Sequence, residues 1–484
     1  MHFPPTLRTF LSMNRSVRLT LYVILFFAIL PQAWGQIPLR GVSERGLRDD
    51  LAGIASNKNS LPSLQVLNFP ASDSGLSRVD VLFRLSPQNF VFVRNDVLDS
   101  SGTANVPSPF FARAEISVEF IDSTGTSTAR DIVQKKFDRS KPTGPGDERE
   151  SFQGAFSFTI RPGKYKVLFQ AIDLESDRKF VDKSKVVTAR NFSIPSLETS
   201  DIIFLESSPT PINQRTRIVA LNYGGDALFG VSFDATIEGT SRSSSVDSLS
   251  MTYSLYRMED LDTTFVVRDS LLKEAILPSR HLGLLNEETG PAYKLQEAPP
   301  EYFVGKLHID GNHLPMGQYE LLVVFLNGKT SVRRLHPFQL RWLGMPASLF
   351  NLDFAIEALE YIASKDEMRE LRSGSEKKRR QKFEEFWNHR DPTPETALNE
   401  ALAEYYRRVD ASRLQFATLK NPNGFKSDRG KIYVLYGEPT RKERKLSPGG
   451  PPTEVWEYEN LKKKFVFTDT AKNGTYILTA TETL

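Results

Sequence analysis

FEEFWNHRDPTPETALNEALAEYYRRV, Phe383 to Val409, and NPNGFKSDRGKIYVLYGEPT, Asn421 to Thr440, decide how this chain divides. The first stretch reads as helix with an aromatic face. The second is a Gly-bounded turn, with Ser427, Asp428 and Arg429 between Gly424 and Gly430, that opens into KIYVLYG. That run is rich in β-branched and aromatic residues and reads as a short strand. Just upstream, Leu349, Leu352, Ile356, Leu359 and Ala363 recur at helical spacing behind Ser348, a candidate N-cap. Arg372-Ser373-Gly374 ends that helix, and Ser375 can cap the next, which carries Phe383, Phe386 and Trp387 before Asp391-Pro392 stops it. Thr393-Pro394 then starts a third, with Leu398, Leu402, Tyr405, Val409 and Phe416 as its stripe. TEVWEYE, KFVFTD and TYILTA follow as further strands. About three helices and then a small antiparallel sheet define an α+β domain over residues 346–484.

Working outward, the period upstream of Met345 is two rather than 3.6. RVDVLFRL places Val79, Val81, Phe83 and Leu85 on one face, and NFVFV, ARAEISVEFID, RDIVQKKF, GAFSFTI, GKYKVLFQAID and KVVTARNF repeat the pattern between turn signals. Short alternating strands at regular spacing indicate an antiparallel sandwich, expected over 76–196. A second set, from DIIFLE to RRLHPFQLRW, gives another over 200–344, with a less patterned insertion between Leu271 and Pro300. The two share an echo: Ile160, Gly163 and Tyr165 recur as Leu314, Gly317 and Tyr319, each 154 residues later. A Gly turn followed by a Tyr whose hydroxyl can bond nearby backbone is the arrangement expected where a late strand of an Ig-like sandwich begins.

The remaining N-terminal text speaks to compartment. Arg8, Arg15 and Arg18 precede twelve mostly apolar residues, Leu19 to Leu30. That is too few for a comfortable bilayer span, which takes about 20. It suits a signal peptide over 1–35, with Ala33 and Gly35 as the small residues before a cleavage site at Gln36. Met13 offers a better-proportioned start. Residues 36–75 read as a polar leader. Export implies an extracytoplasmic location, periplasmic or at the cell surface, with membrane contact only through the signal segment if it stays uncleaved. The chain has no cysteine among 484 residues, which removes disulfides, a thiol nucleophile and cysteine-ligated zinc. A net charge of +3 with interspersed signs does not provide the basic stripe of a nucleic-acid binder.

The C-terminal text resembles the GWxTD domain, a family of bacterial extracytoplasmic proteins. The resemblance runs from about Leu349 to Leu478 and rests on FWNHRDPTP, NEALAEYYRRVDAS, GFKSDRGKIYVLYGEP, and VWEYE followed by FVFTD. At the naming motif, Gly424 and Asp428 match, while Phe425 stands for Trp and Ser427 for Thr. Both departures keep the chemical type. The resemblance implies a secreted or periplasmic protein with Ig-like domains ahead of the motif domain, and it brings no reaction with it.

The residues of the motif allow two readings. In one, Gly424 and Gly430 free the backbone of a turn, Ser427 and Asp428 accept backbone N–H groups, and Phe425 plugs the core. Arg429 then pairs with Asp391, Glu404 or Asp410. In the other, Tyr405, Arg408, Asp428 and Arg429 line a cleft. There Asp428 and Tyr405 are the catalytic candidates, and Arg408 and Arg429 hold an anionic ligand. Other motifs fail on spacing. His389-Arg390-Asp391 lacks the Asn of a kinase catalytic loop, since Thr396 stands at that place. GFKSDRGK has one residue too many between its glycines for a phosphate loop. There is no G-x-S-x-G, and His308 and His313 are not spaced as metal ligands on a helix. No cofactor and no metal are expected. The run Lys377-Lys378-Arg379-Arg380 reads as a solvated face. The expected function is that of an exported binding or scaffolding protein whose partner is an envelope protein or glycan. The alternative is a cell-envelope hydrolase for glycan or peptide.

Overall fold

The computed structural model describes residues 62–484 apart from 74, 95–109, 140–150, 195, 208–216, 243–244, 260–261, 272–274, 288, 419–420 and 447–449. The signal segment, its cleavage site, Met13 and most of the polar leader lie outside the described residues.

Alternation builds a first pair of facing sheets, although of NFVFV only Val93, with Arg94, is strand. One sheet runs Ser63–Pro70, Ser77–Leu85, Phe152–Ile160 in that order. The facing sheet centres on Phe110–Ile121, which pairs with Ser127–Arg139 and Gly163–Asp173, with Lys179–Ala189 beyond. Val81, Phe83 and Phe156 from one sheet meet Val118, Phe120 and Phe169 from the other. The Phe83 and Phe169 rings lie 5.6 Å apart. Ser63–Pro70 corrects the leader expected over 36–75. Its residues are buried on both faces, so SLQVLNFP shows no alternation and reads as leader.

The middle region repeats the plan. Ile203–Glu206, Phe233–Ser241, Tyr302–Ile309 and Ile276–Pro278 form one sheet, with Leu197–Thr199 also on Phe233–Ser241. Ala227–Leu228, Thr330–Arg341, Gly317–Asn327, Ser250–Glu259 and Asp262–Leu271 form the other. Phe204, Phe233, Phe303, Phe325 and Phe338 fill the space between them. The echo seen in sequence is structural. Tyr165 donates to the Arg161 carbonyl at 3.0 Å and Tyr319 to the Pro315 carbonyl at 2.6 Å, each four residues back.

The insertion between Leu271 and Pro300 is not irregular. Arg280–Glu287 and Gly290–Glu297 make a hairpin that joins Arg217–Val219 in a three-stranded sheet. This sheet lies against the outer face of the first sandwich. Leu67, Phe69, Leu82 and Ala155 of the first sandwich pack with Ile203, Leu205, Leu282, Tyr293, Leu295 and Val304 in one buried cluster. Asn286 also pairs with the strand edge there, donating to the Ala155 carbonyl at 2.8 Å and accepting its N–H at 3.2 Å. The two sandwiches thus share a third core. The short segment before Asp201 is itself part of a sheet rather than a free linker.

After Met345 the chain turns helical: α1 is Leu352–Ala358, α2 Lys365–Arg372, α3 Glu376–Asn388, α4 Glu400–Gln415 and α5 Asp428–Tyr436. Five α-helices therefore stand among the described residues where about three were expected. The first expected helix is two. Asn351 caps α1, and Ser364 with Glu367 forms a capping box on α2. Ser348 caps nothing; its N–H donates to Asp410 at 3.1 Å. The helix expected from Thr393-Pro394 starts later, where Asn399 accepts the Leu402 N–H at 2.9 Å. The largest correction is KIYVLYG, which is α5 and not a strand. The missed signals were Ser427 as N-cap and Gly437 as C-cap, and they outweighed β propensity. A four-stranded antiparallel sheet follows: Arg441–Lys445, Thr453–Tyr458, Lys463–Thr468, Ile477–Thr483. Its first strand, RKERK, is fully exposed and carries no apolar pattern to find. This region rests on the middle sandwich, where the Ala397 N–H donates to the Asn312 carbonyl at 2.7 Å. No described helix is long and apolar enough to cross a membrane.

Candidate functional site

Ser427 sits at the start of α5. Its hydroxyl accepts the Gly430 N–H at 3.0 Å and donates to the Gly424 carbonyl at 2.6 Å. Asp428 follows in the first turn, where its charge complements the helix N-terminus. Its carboxylate accepts the Leu478 N–H at 2.7 Å, tying the helix to the last strand. Phe425 is fully buried, edge-on to Phe354 at 5.3 Å, and Tyr361 donates to its carbonyl at 2.9 Å. The two glycines act by close approach and not by unusual backbone angles, as neither has a positive φ. A Cβ on Gly430 would overlap the Gly424 carbonyl oxygen, and one on Gly424 would overlap backbone atoms of Ser412 and Ala417.

Arg429 pairs with none of the three expected carboxylates. Its partner is Glu454 on the sheet, at 3.1 Å, and its guanidinium lies 4.2 Å from the Tyr476 ring centroid. Glu454 also receives Lys442 at 2.9 Å and the Trp456 indole N–H at 2.6 Å. Burial alone would raise the Glu454 carboxyl. The Lys442 and Trp456 hydrogen bonds, with the charges of Lys442 and Arg429, outweigh it and hold the group below its ordinary range. Of the other expected partners, Asp391 accepts the Thr393 N–H at 2.9 Å, and Asp410, raised by burial, accepts from Ser348. Glu404 pairs with Arg407 and Arg408, at 2.8 and 2.6 Å.

Tyr405 and Tyr406 are buried and point at the end of α1. They donate to the Ala358 and Ala355 carbonyls at 2.5 and 2.8 Å, satisfying acceptors that a helix end leaves open. Burial pushes both phenols above their ordinary range. Arg408 lies over Gly437 and reaches the Leu435 carbonyl at 3.3 Å. Tyr405, Arg408, Asp428 and Arg429 therefore each hold a different element. Trp387 and Trp456 are core residues, 3% and 1% exposed.

Two groupings escaped the sequence reading. Ser207, His308 and Asp234 come together, but Ser207 and Asp234 both meet the same nitrogen, Nδ1 of His308, at 3.2 and 3.0 Å. A proton relay needs the two ring nitrogens to serve different partners, so this is a tether. The second grouping lies in the shared core. Asp80 accepts the Ser157 and Tyr293 hydroxyls at 2.7 and 3.1 Å and stands 3.3 Å from Arg78. The carboxylate of Glu238, also buried, accepts the Leu282 N–H at 3.1 Å. The signal was present: FDATIEGT alternates Asp234, Thr236, Glu238 and Thr240 against apolar neighbours on a fully buried strand.

Sandwich-type sheets followed by a C-terminal region that holds the helices define a β-rich protein. A family profile describing the GWxTD domain matches residues 348–482, so the C-terminal region of this chain carries a GWxTD domain. A comparison with curated proteins found no match. Among solved structures, a family 123 glycoside hydrolase from Clostridium perfringens aligns at 13% identity over 34% of this chain and 30% of its own, with a TM-score of 0.16. The AgI/II polypeptide BspA C-terminal domain from Streptococcus agalactiae aligns at 11% identity over 58% of this chain and 100% of its own, TM-score 0.14. The collagen adhesin from S. aureus aligns at 10% identity over 58% of this chain and 94% of its own, TM-score 0.14.

Proposed function

We propose that this is an exported bacterial binding or scaffolding protein, with tandem Ig-like sandwiches that carry and orient a GWxTD domain outside the cytoplasm. The observation that carries this reading is the use made of the motif. Tyr405, Arg408, Asp428 and Arg429 all bond groups of the protein itself, and each fastens one element to another. The shared core between the sandwiches adds to it, because a rigid tandem holds a terminal domain at a set distance. Export is supported by the basic and then apolar N-terminal segment. A hydrolase working from Asp428 and Tyr405 would need both groups released from the bonds they make. The partner is an envelope protein or glycan.

The test is capture from envelope extract with the mature chain and with its Asp428→Ala variant, each first checked for folding by circular dichroism. A folded variant that keeps its partners supports a structural role for Asp428. A folded variant that loses them all moves the site to Asp428. N-terminal sequencing of the secreted or periplasmic form should begin at Gln36, and an intact Thr20 would sink the cleavage.

A further inference from the structure

The helices at the start of the C-terminal region carry an unbalanced charge. Residues 365–382 contain eight Lys and Arg against four Asp and Glu. Carboxylates take part of this surplus: Asp366 pairs with Arg369, Glu370 with Lys382, Asp353 with Arg379, Glu376 with Arg380. Lys365, Arg372, Lys377 and Lys378 have no carboxylate partner among the described residues.

Two of those cations, Lys365 and Arg372, share one groove. α2 and the turn before it border an open groove of about 590 Å³, lined by Glu360, Ala363, Lys365, Met368, Arg369, Arg372 and Ser373. Met368 is buried and forms apolar floor. Lys378 packs over Gly374, next to the groove's Ser373 end, where the left-handed backbone of Gly374 turns α3 back toward α2. Arg369 and Arg372 stand three residues apart and therefore share a helix face. Two guanidiniums on one face match the planar, multidentate geometry of a phosphate group better than point charges do.

We infer that this groove binds a phosphate-bearing anion, with Arg372 and Lys365 as its principal contacts and Lys378 reaching it from the rim beside Ser373. Arg369 exchanges Asp366 for the ligand, and Met368 carries any apolar part next to the phosphate. The site stands apart from the GWxTD motif, and it does not depend on where the chain resides. The phosphate can belong to a free ion or to a lipid headgroup.

The experiment uses the full chain in two arms. Calorimetry with inorganic pyrophosphate tests the free ion. Co-sedimentation with vesicles of phosphatidylglycerol, against vesicles of phosphatidylcholine, tests the headgroup. Arg372→Glu with Lys378→Glu should weaken binding by about tenfold or more, since each basic contact at an anionic surface counts separately. A control of equal charge change, Lys164→Glu with Lys183→Glu on exposed strand positions of the first sandwich, should leave it unchanged. Binding in either arm that is lost only in the groove variant supports the site, and the arm that responds names the source. No binding in both arms at low salt overturns it. Equal loss in the control overturns it too, as that result marks a net-charge effect without a site.

Discussion

Arg78 reaches across the shared core to Glu238, with 3.7 Å between Nη2 and Oε2, while its Nε lies 3.3 Å from Asp80. One guanidinium thus serves two buried carboxylates. Asp80 has the nearer contact and two hydroxyl donors, so Glu238 is the surplus acid. Burial raises its carboxyl to about 7, against a pull downward from Arg78. A carboxyl raised in the folded state takes up its proton more readily there than in the unfolded chain. Its contribution is complete below the unfolded value near 4.5 and is lost as pH rises through about 7. Stability should therefore fall across that window by up to about 3 kcal/mol from this group. Glu238→Gln should flatten the fall. Urea unfolding at pH 5 and pH 8.5 measures it, and an unchanged pH slope in the variant would refute the assignment.

The same core predicts how the sandwiches unfold. Leu282 is fully buried between them, on a hairpin that belongs to the middle region but covers the first sandwich. Leu282→Ala should cost about 2–5 kcal/mol. Because the cluster is common to both, the sandwiches should melt in one calorimetric transition, and the substitution should shift that transition whole. Two well-separated wild-type transitions, only one of which moves, would contradict a shared core.

The paired tyrosines give a third prediction. Tyr165 and Tyr319 are both buried and bond a carbonyl four residues back, so Tyr→Phe removes one hydrogen bond and keeps the ring. Each substitution should cost about 1 kcal/mol by chemical denaturation. A neutral result at both sites would show that the recurrence is one of packing only.

These tyrosines were legible because the feature is local: a Gly, a Tyr two residues on, then an alternating strand. The strands of the sandwich cores were legible for the same reason. What sequence concealed was burial on two faces. Ser63–Pro70 and the stretch from Gly290 to Leu295 lie between layers, so neither alternates cleanly, and one read as leader and the other as a less patterned insertion. KIYVLYG failed differently. Its residues favour strands, but Ser427 and Gly437 bracket a helix, and the caps together with packing against α4 prevail. At the motif, the residue types were read correctly as turn and cap formers. Their partners, Leu478 and Glu454, stand 50 and 25 residues further on, and no local pattern points to them.

The motif turn should be sensitive to volume and tolerant of chemistry. Gly430→Ala places a methyl group on the Gly424 carbonyl, which cannot move without displacing Phe425, so the C-terminal region should fail to fold. Ser427→Ala removes only the cap and should cost about 1 kcal/mol. Ser427→Thr keeps the hydroxyl and should be near neutral. Thermal melts of the three variants should fall in that order. A Gly430→Ala protein as stable as Ser427→Ala would show that the turn has room that the structure denies it.

Glu454 offers the sharpest separation of structure from function in this region. The residue is 4% exposed, and its carboxylate holds Arg429, Lys442 and the Trp456 indole at once. Glu454→Ala leaves two cations facing each other beside a hydrogen-bond donor with no acceptor. The expected cost is about 3–5 kcal/mol, the loss typical when one partner of a buried pair is removed. Taking both partners away is a different change. Glu454→Leu with Arg429→Met deletes the buried charge together with its counter-charge and retains apolar bulk against Phe416 and Tyr476. That double variant should recover most of the stability, as buried pairs often exchange for apolar residues without loss. Denaturation midpoints with the near-ultraviolet signal of Trp456 report the fold, and partner capture reports the function. If the double variant folds and still captures its partners, Arg429 is a fastener between helix and sheet. If it folds and captures nothing, Arg429 contacts the ligand, and the anionic-ligand role first read for this arginine returns.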